Sequence, residues 1–178
     1  MARLEYAASD LPGPDGIIAE RIRARRGGTL TPLDLMLLHS PPLAEGWNGL
    51  LGAVRTASTL TADVRELAIL RIAALNGADY EWRAHEPLGL AGGLTDADLA
   101  VLRGERAPDA LAPRLAAVLA YTDAMTSRVI VPDDVFAGLR EHFTDREIVE
   151  LTVTVGAYNL VSRFLVALQV GGGEREAA

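Results

Sequence analysis

The segment Leu67–Leu75 constrains the fold of this chain more than any other, because all its residues are apolar except Arg71. Thr61 precedes it as a helix cap and Gly77 follows it, so the sequence predicts a helix over residues 62–76. A helix that is apolar on every side is stable only when other elements surround it. We therefore expect this helix to be buried at the centre of the fold.

The rest of the chain is suited to supply helices around that centre. Alanine (29 residues) and leucine (27 residues) are the most frequent of the 178 residues, and both are strong helix formers. This length corresponds to about one domain, which is large enough to bury a substantial core. The sequence therefore predicts an all-α, multihelical fold in a single domain.

Caps, prolines and glycines mark the other helices. They predict helices over residues 17–26, 32–39, 41–57, 79–91, 96–103, 113–127, 132–142 and 145–169. Residues 151–155 are rich in β-branched side chains and would also suit a strand. The capping box formed by Thr144 and Glu147, together with the apolar period that follows, favours a helix there.

The two ends of the chain differ in composition from its middle. Residues 1–16 are rich in proline and glycine and are predicted to form an irregular arm, and residues 171–178 a disordered tail. The helical domain is predicted to span residues 17–170. Glu66 and Glu150 each open an apolar run shortly after a capping threonine, which suggests an internal helical duplication.

Composition excludes several classes of function. The net charge of −7 argues against nucleic-acid binding, which needs a surplus of Lys and Arg. The absence of cysteine excludes thiolate nucleophiles, zinc–thiolate sites and iron–sulfur clusters. No signal peptide and no apolar stretch of membrane-spanning length is recognisable, so we expect no membrane association and a cytoplasmic protein. The glycine-rich segments lack the strand–loop–helix context of a nucleotide site, and no organic cofactor is expected.

Three ionisable residues form the candidate catalytic site: Glu66, Glu81 and His85. Glu81 and His85 are four residues apart and share one helix face, while Glu66 lies on the preceding helix. Two carboxylates beside an imidazole can fix its tautomer and shift its pKa for acid–base chemistry. The simpler alternatives are a solvated Glu–His pair and a salt bridge from Glu66 to Arg65 or Arg71. A metal site is disfavoured because the group contains a single histidine, with no second histidine at helical spacing.

The wider pattern resembles a known family. Glu66-Leu67, an alanine-rich buried helix, Tyr80-Glu81-Trp82-x-x-His85-Glu86-Pro87-Leu88 and Gly93-Leu94-Thr95 are similar to the carboxymuconolactone decarboxylase family, also called alkylhydroperoxidase-like. The resemblance covers about residues 32–170, including the segment from Tyr158 to Leu165. It implies a multihelical alkylhydroperoxidase-like fold and closed homo-oligomers, either trimers or hexamers.

The alignment of this chain with the family's residue pattern indicates which branch of the family it resembles more. The peroxidase branch carries two cysteines, which fall here on Ala78 and Glu81, while its first histidine falls on Tyr80 and its last on His85. Without the thiol pair, hydroperoxide reduction by that branch's chemistry is not expected. The chain looks like the cysteine-less, decarboxylase-type branch, although many relatives carry a histidine where this chain has Ala84.

The resemblance implies a lyase or decarboxylase-type enzyme acting on a small carboxylated, lactone or carbonyl compound. In this hypothesis His85 transfers the proton, Glu81 orients it and Glu66 sets the charge of the pocket. Arg71, Arg163 and Tyr80 are the predicted substrate-binding residues. Arg71 and Arg163 could equally pair with Glu66 or Glu150, since a buried arginine needs a carboxylate. The alternative function is a non-catalytic oligomeric binding or scaffold protein that retains the fold.

Overall fold

The computed structural model describes residues 1–171. Within that range nine α-helices and one short 3-10 helix (Pro108–Ala110) are present, and no β-strand. The α-helices are α1 (Gly13–Arg25), α2 (Pro32–Leu37), α3 (Pro41–Thr56), α4 (Ala62–Asn76), α5 (Asp79–Ala91), α6 (Asp96–Leu102), α7 (Pro113–Ser127), α8 (Asp133–Arg140) and α9 (Asp145–Leu168). The all-α prediction is confirmed.

The helices fall into two compact units. One comprises residues 1–57 together with the described residues from Ala167 onward, and the other comprises residues 58–166. In the first unit α3 packs against α1 and α2. In the second unit α4 packs against α5, α6 and α7, and α7 packs against α8. The sequence predicted one domain over residues 17–170 and did not distinguish these two units.

Helix α4 lies at the centre of the second unit, as its apolar sequence predicted. Val64, Leu67, Ile69 and Ile72 are fully inaccessible to solvent, and Gly77 ends the helix in the left-handed conformation with φ of +64°. Glycine adopts that conformation without strain, so the chain turns directly into α5. Helices α4 and α5 make the most extensive helix contact in the structure.

Helix α9 resolves the ambiguity at residues 151–155, which are helical. The capping box at its start is formed, because the Thr144 backbone N–H and hydroxyl donate to Glu147 Oε2 at 2.8 and 2.7 Å, and the Glu147 N–H donates to Thr144 Oγ1 at 3.3 Å. Thr152 and Thr154 donate their hydroxyls to carbonyls one turn earlier, at 2.6 and 2.7 Å. By length and hydropathy α9 would also suit a membrane span, but half of that apolar stretch is buried within the structure, as in a core helix.

The N-terminal end of the chain differs from the prediction, and most of the predicted C-terminal tail lies outside the described residues. Helix α1 begins at Gly13 rather than at Ile17, which shortens the irregular arm. The cause is Pro14, because proline in the first helical turn loses no backbone hydrogen bond and has a helical φ. Gly171 belongs to a turn, and the rest of the predicted tail lies outside the described residues.

Candidate active site

His85 is held between two carboxylates on neighbouring helices. Its Nδ1 atom lies 2.6 Å from Oε2 of Glu66 on α4, and its Nε2 atom lies 3.1 Å from Oε1 of Glu81 on α5. The α4–α5 turn at Gly77 folds the two helices together, which brings residues 19 positions apart into contact. The structure therefore brings together the three residues predicted to be catalytic. We call Glu66, Glu81 and His85 the His85 cluster.

The cluster is almost closed to solvent. Glu66, Glu81 and His85 are only 3%, 2% and 3% exposed. Tyr158 of α9 is fully buried and meets the imidazole edge-to-face, with ring centroids 5.3 Å apart and planes at 88°. Aromatic pairs favour this geometry because the positive edge of one ring meets the negative face of the other. Tyr158 thus restricts the orientation of the imidazole ring.

The two carboxylates decide the protonation of His85. Burial lowers the pKa of His85, but the hydrogen bond to Glu66 and the charges of Glu66 and Glu81 outweigh burial, so the pKa is raised above its usual value of 6.5. For Glu66, burial raises the pKa, but the hydrogen bond and charge of His85 together with Arg65 lower it below the usual 4.5. A protonated imidazole facing ionised Glu66 is the state that this geometry favours.

The carboxylates of Glu66 and Glu81 differ in their hydrogen-bond partners. Oε1 of Glu66 accepts a hydrogen bond from Nε of Arg65 at 3.1 Å, so both Glu66 oxygens are engaged. Oε1 of Glu81 is buried and has no hydrogen-bond partner among the described residues, although His85 Nε2 is close to it. A buried acceptor without a donor is costly and marks a place where a hydrogen-bonding ligand group is stabilised.

Among the predicted substrate-binding residues, Arg71 is engaged outside the His85 cluster. Arg71 forms a two-pronged ion pair with Asp123 of α7, at 2.6 and 2.8 Å, and donates to the carbonyl of Leu102 at 2.9 Å. Its carboxylate partner is therefore neither Glu66 nor Glu150, the two partners that the sequence suggested. Tyr80 is partly buried on the first turn of α5.

Arg163 likewise has a partner that the sequence did not indicate. It is exposed on α9, and its Nη1 atom donates to Oδ1 of Asn159 at 2.7 Å. The ion pair of Arg65 with Glu66, which the sequence offered as one alternative, is formed at 3.1 Å. Sequence reasoning gave no role to Tyr158, which packs on the ring of His85. For Tyr158 a signal was present, because it continues the apolar period of Leu151 and Val155 on the buried face of α9.

The cluster is not arranged as a metal site. Each ring nitrogen of His85 faces a carboxylate oxygen, so the imidazole occupies the place that a cation between the carboxylates would take. No group of three or more potential ligands suited to a metal ion is found among the described residues.

An open cleft lies on another side of the α4–α5 turn. It has a volume of about 260 Å³ and is lined by Ala73, Ala74, Gly77, Asp79, Trp82 and Arg103. The Arg103 guanidinium lies 4.5 Å from the Trp82 ring centroid and pairs with Glu86 at 2.5 Å. None of the three cluster residues lines this cleft.

Solved structures share this arrangement of helices. A protein of unknown function from Agrobacterium tumefaciens is 27% identical over 75% of this chain and 92% of its own, with a TM-score of 0.67. The alkylhydroperoxidase AhpD core of an uncharacterised peroxidase-related protein from Ralstonia eutropha JMP134 is 21% identical over 95% and 90%, with a TM-score of 0.78. The debrominase Bmp8, in a complex with 2,3,4-tribromopyrrole, is 15% identical over 90% and 88%, with a TM-score of 0.74.

The family model of the carboxymuconolactone decarboxylase family matches residues 41–124, which contain the whole His85 cluster. Over these residues the chain matches the carboxymuconolactone decarboxylase family, and its fold is AhpD-like. The resemblance seen in the sequence is thereby confirmed. The chain has no cysteine. A search of curated proteins found no match.

Proposed function

We propose that this protein is a cofactor-independent enzyme that transfers a proton to or from carbon in a small carbonyl or lactone compound. The observation that carries the proposal is the imidazole of His85 fixed between two buried carboxylates. Such a group can exchange protons near neutral pH, as a general acid or base must. The family that residues 41–124 match includes enzymes, and its named reaction is loss of carbon dioxide from a carboxymuconolactone.

The two carboxylates have different roles in this proposal. Glu66 makes the shorter contact, 2.6 Å to Nδ1, and its other oxygen is held by Arg65, so it fixes the ring and favours the imidazolium. Nε2 then carries the exchangeable proton, and Glu81 lies beside it. In a decarboxylation, the electron pair left by carbon dioxide moves into the adjoining carbonyl group, and the carbon is protonated from Nε2.

The charges around the cluster favour a substrate whose carbonyl or lactone group, rather than its carboxylate, lies beside Glu81. Arg71, the cation predicted to neutralise a substrate carboxylate, is engaged by Asp123 and the Leu102 carbonyl. Glu81 presents an acceptor that suits an O–H or N–H group. A carbonyl or lactone ring fits this environment better than a second carboxylate. Bmp8, which shares the fold, is solved with a small ring compound, and this supports a ligand of similar size.

Proton exchange in heavy water tests the proposal without requiring the natural substrate. The protein is incubated in D₂O with a panel of ketones, γ-lactones and β-keto acids, and deuterium incorporation and carbon dioxide release are followed by NMR. We expect exchange with at least one compound. His85→Gln should slow it by about 100-fold or more, the scale of a lost general acid or base. His142→Gln is the matched control, because His142 is exposed in the turn after α8. Equal rates in wild type and His85→Gln would contradict the proposal.

A second candidate function has one observation in its favour. His85 is 3% exposed and Tyr158 packs against its ring, as in a protein that keeps the fold to bind rather than to react. The same panel separates the two. Compounds that raise the melting temperature of the wild type without any exchange or carbon dioxide release favour a binding protein.

A further inference from the structure

Gly89 lies in the contact between α4 and α5, one turn after His85 on α5. The residue is buried, and its φ is not positive, so its backbone conformation does not require glycine. Glycine is also the least favourable residue in a helix interior after proline. Local conformation therefore gives no reason for glycine at this position, and the packing around it supplies one.

The space around Gly89 is closed to a side chain. A Cβ atom there would lie 3.0 Å from Cδ1 of Leu70, 3.2 Å from Cδ1 of Leu94 and 3.7 Å from Cβ of Glu66. The first two distances are shorter than the optimum of about 3.5–4.0 Å between carbon atoms. Leu70 and Leu94 are 0% and 3% exposed, so neither side chain can turn away into solvent. A methyl group at residue 89 would therefore push α4 and α5 apart.

The same helix faces carry the His85 cluster. Glu66 and Leu70 are one turn apart on α4 and share one face of it. His85 and Gly89 are likewise one turn apart on α5. The 2.6 Å contact between Glu66 Oε2 and His85 Nδ1 is thus one turn away from the place where Leu70 packs on Gly89. The separation of the helices at Gly89 and the distance within the cluster are coupled.

We propose that Gly89 is a positioning residue of the His85 cluster, because the lack of a side chain there sets how closely Glu66 approaches His85. The inference rests on the proposed function, since the place of Glu66 matters to catalysis only if His85 transfers the proton. A side chain at residue 89 would lengthen the contact. A longer contact weakens both the hydrogen bond and the attraction between carboxylate and imidazolium, because both decrease with distance.

The ionisable groups around the imidazole come from three helices. Helix α4 provides Glu66 and, behind it, Arg65; α5 provides Glu81; and α9 provides Tyr158. Glu81 is on the same helix as His85, so moving α4 away does not change its distance from the ring. The contact with Glu66 is the one that lengthens. Because Glu66 raises the pKa of His85, a longer contact should lower that pKa.

NMR titration of the imidazole resonances measures the pKa of His85 without any substrate. The chain has three histidines, and the spectrum of His85→Gln identifies the resonances of His85. Gly89→Ala should lower the pKa of His85 by about 0.5 or more, the scale for a charge contact that lengthens by a few tenths of an ångström. The pH dependence of deuterium exchange should move by the same amount in the same direction.

A second substitution should reverse the effect of the first. Valine at residue 70 lacks the Cδ1 atom that the new methyl group would meet, so Gly89→Ala/Leu70→Val should recover most of the change in the pKa of His85. Leu70→Val alone should leave that pKa unchanged. If Gly89→Ala does not fold, the double variant takes its place. Leu94 would still lie 3.2 Å from the new Cβ, so a smaller decrease in the same direction is expected.

Leu139→Ala controls for a general loss of stability. Leu139 is fully buried on α8, which packs against α7, and its truncation leaves a cavity in the core. This variant should lower the melting temperature and leave the titration of His85 unchanged.

Three results would overturn the proposal. They are a titration of His85 that is the same in Gly89→Ala and the wild type, an equal decrease in Leu139→Ala, and a decrease that Leu70→Val does not reverse. Failure of the proposed function looks different. In that case no compound exchanges deuterium in the wild type, while the titration of His85 still shows whether Gly89 sets its contact with Glu66.

Discussion

At the scale of single residues, His85 ties the stability of the fold to pH. Its pKa is raised in the folded protein, because Glu66 and Glu81 stabilise the imidazolium more than burial disfavours it. A group of this kind contributes stability that is fully present below the unfolded pKa, near 6.5, and is lost as the pH rises through the folded pKa. Glu66, whose pKa is lowered, contributes above about 4.5 and loses its contribution as the pH falls through the folded value.

Urea unfolding of wild type and His85→Gln across pH checks this linkage. We expect the difference in free energy of unfolding between the two to be largest at about pH 5–6. It should decrease as the pH rises through the raised pKa of His85. His39→Gln serves as the control, because His39 is exposed and its Nε2 lies 2.7 Å from the backbone carbonyl of Glu5 rather than from a carboxylate. A difference that does not change with pH would contradict this expectation, because it would mean that the pKa of His85 is the same in the folded and the unfolded protein.

The sequence predicted some of the contacts made by the candidate site residues and not others. The pair Glu81 and His85 follows from helical spacing, and the link from Glu66 to His85 was available from the family register. The partner of Arg71 was not, because Asp123 lies 52 positions away on α7 and nothing local marks it. Contacts between helices distant in sequence depend on how the helices pack, and a single sequence does not specify that packing.

At the scale of helices, the close contact between α4 and α5 depends on a residue without a side chain. A Cβ atom at Gly92, the C-cap of α5, would lie 2.9 Å from Ala62 Cβ and 3.2 Å from the Ala62 carbonyl carbon. These atoms are backbone or next to it and cannot move aside as a flexible side chain does. The backbone of Gly92 has a helical φ of −79°, so alanine there is excluded by packing and not by conformation.

Alanine substitutions at two glycines should therefore change stability in opposite directions. Gly92→Ala should lower the free energy of unfolding by about 1–3 kcal/mol, the range for overpacking a core contact. Gly138→Ala in α8 should raise it by up to about 1 kcal/mol, because a Cβ there meets nothing within 4 Å. Thermal unfolding by circular dichroism measures both. A neutral Gly92→Ala variant would mean that the two helices can separate at little cost.

The bounds of the helices were predictable because their signals are local. The capping boxes at Thr31, Thr95 and Thr144 are all formed in the structure, and each opens the helix that the sequence placed there. The start of α1 was misplaced because Pro14 was interpreted as part of an irregular arm rather than as a first-turn residue. Residues 151–155 were ambiguous because burial in a core, rather than intrinsic propensity, decides whether β-branched side chains become helical.

At the scale of the whole molecule, the family and the fold do not by themselves specify the chemistry. An AhpD-like fold is shared with peroxidase-related proteins and with a debrominase, at identities of 15–21%. What differs here is the residue type at a few positions. Where the family's peroxidase branch carries its thiol pair, this chain has Ala78 and Glu81, both buried. The His85 cluster is thus built from a carboxylate where that branch has a thiol.

This difference predicts that the protein has no thiol peroxidase activity. Reduction of a hydroperoxide by a thiol enzyme requires a thiolate that becomes a sulfenic acid and then a disulfide, and the chain has no cysteine to form either. Consumption of cumene hydroperoxide, measured with dithiothreitol as reductant, should equal the rate of a blank without protein. The buried carboxylate of Glu81 cannot replace the sulfur. Its carbon is already at the oxidation level of a carboxylic acid, and its oxygens are weaker nucleophiles than a thiolate sulfur. A rate above the blank that His85→Gln abolishes would show that the cluster reduces peroxides by a route without sulfur, and would overturn the prediction.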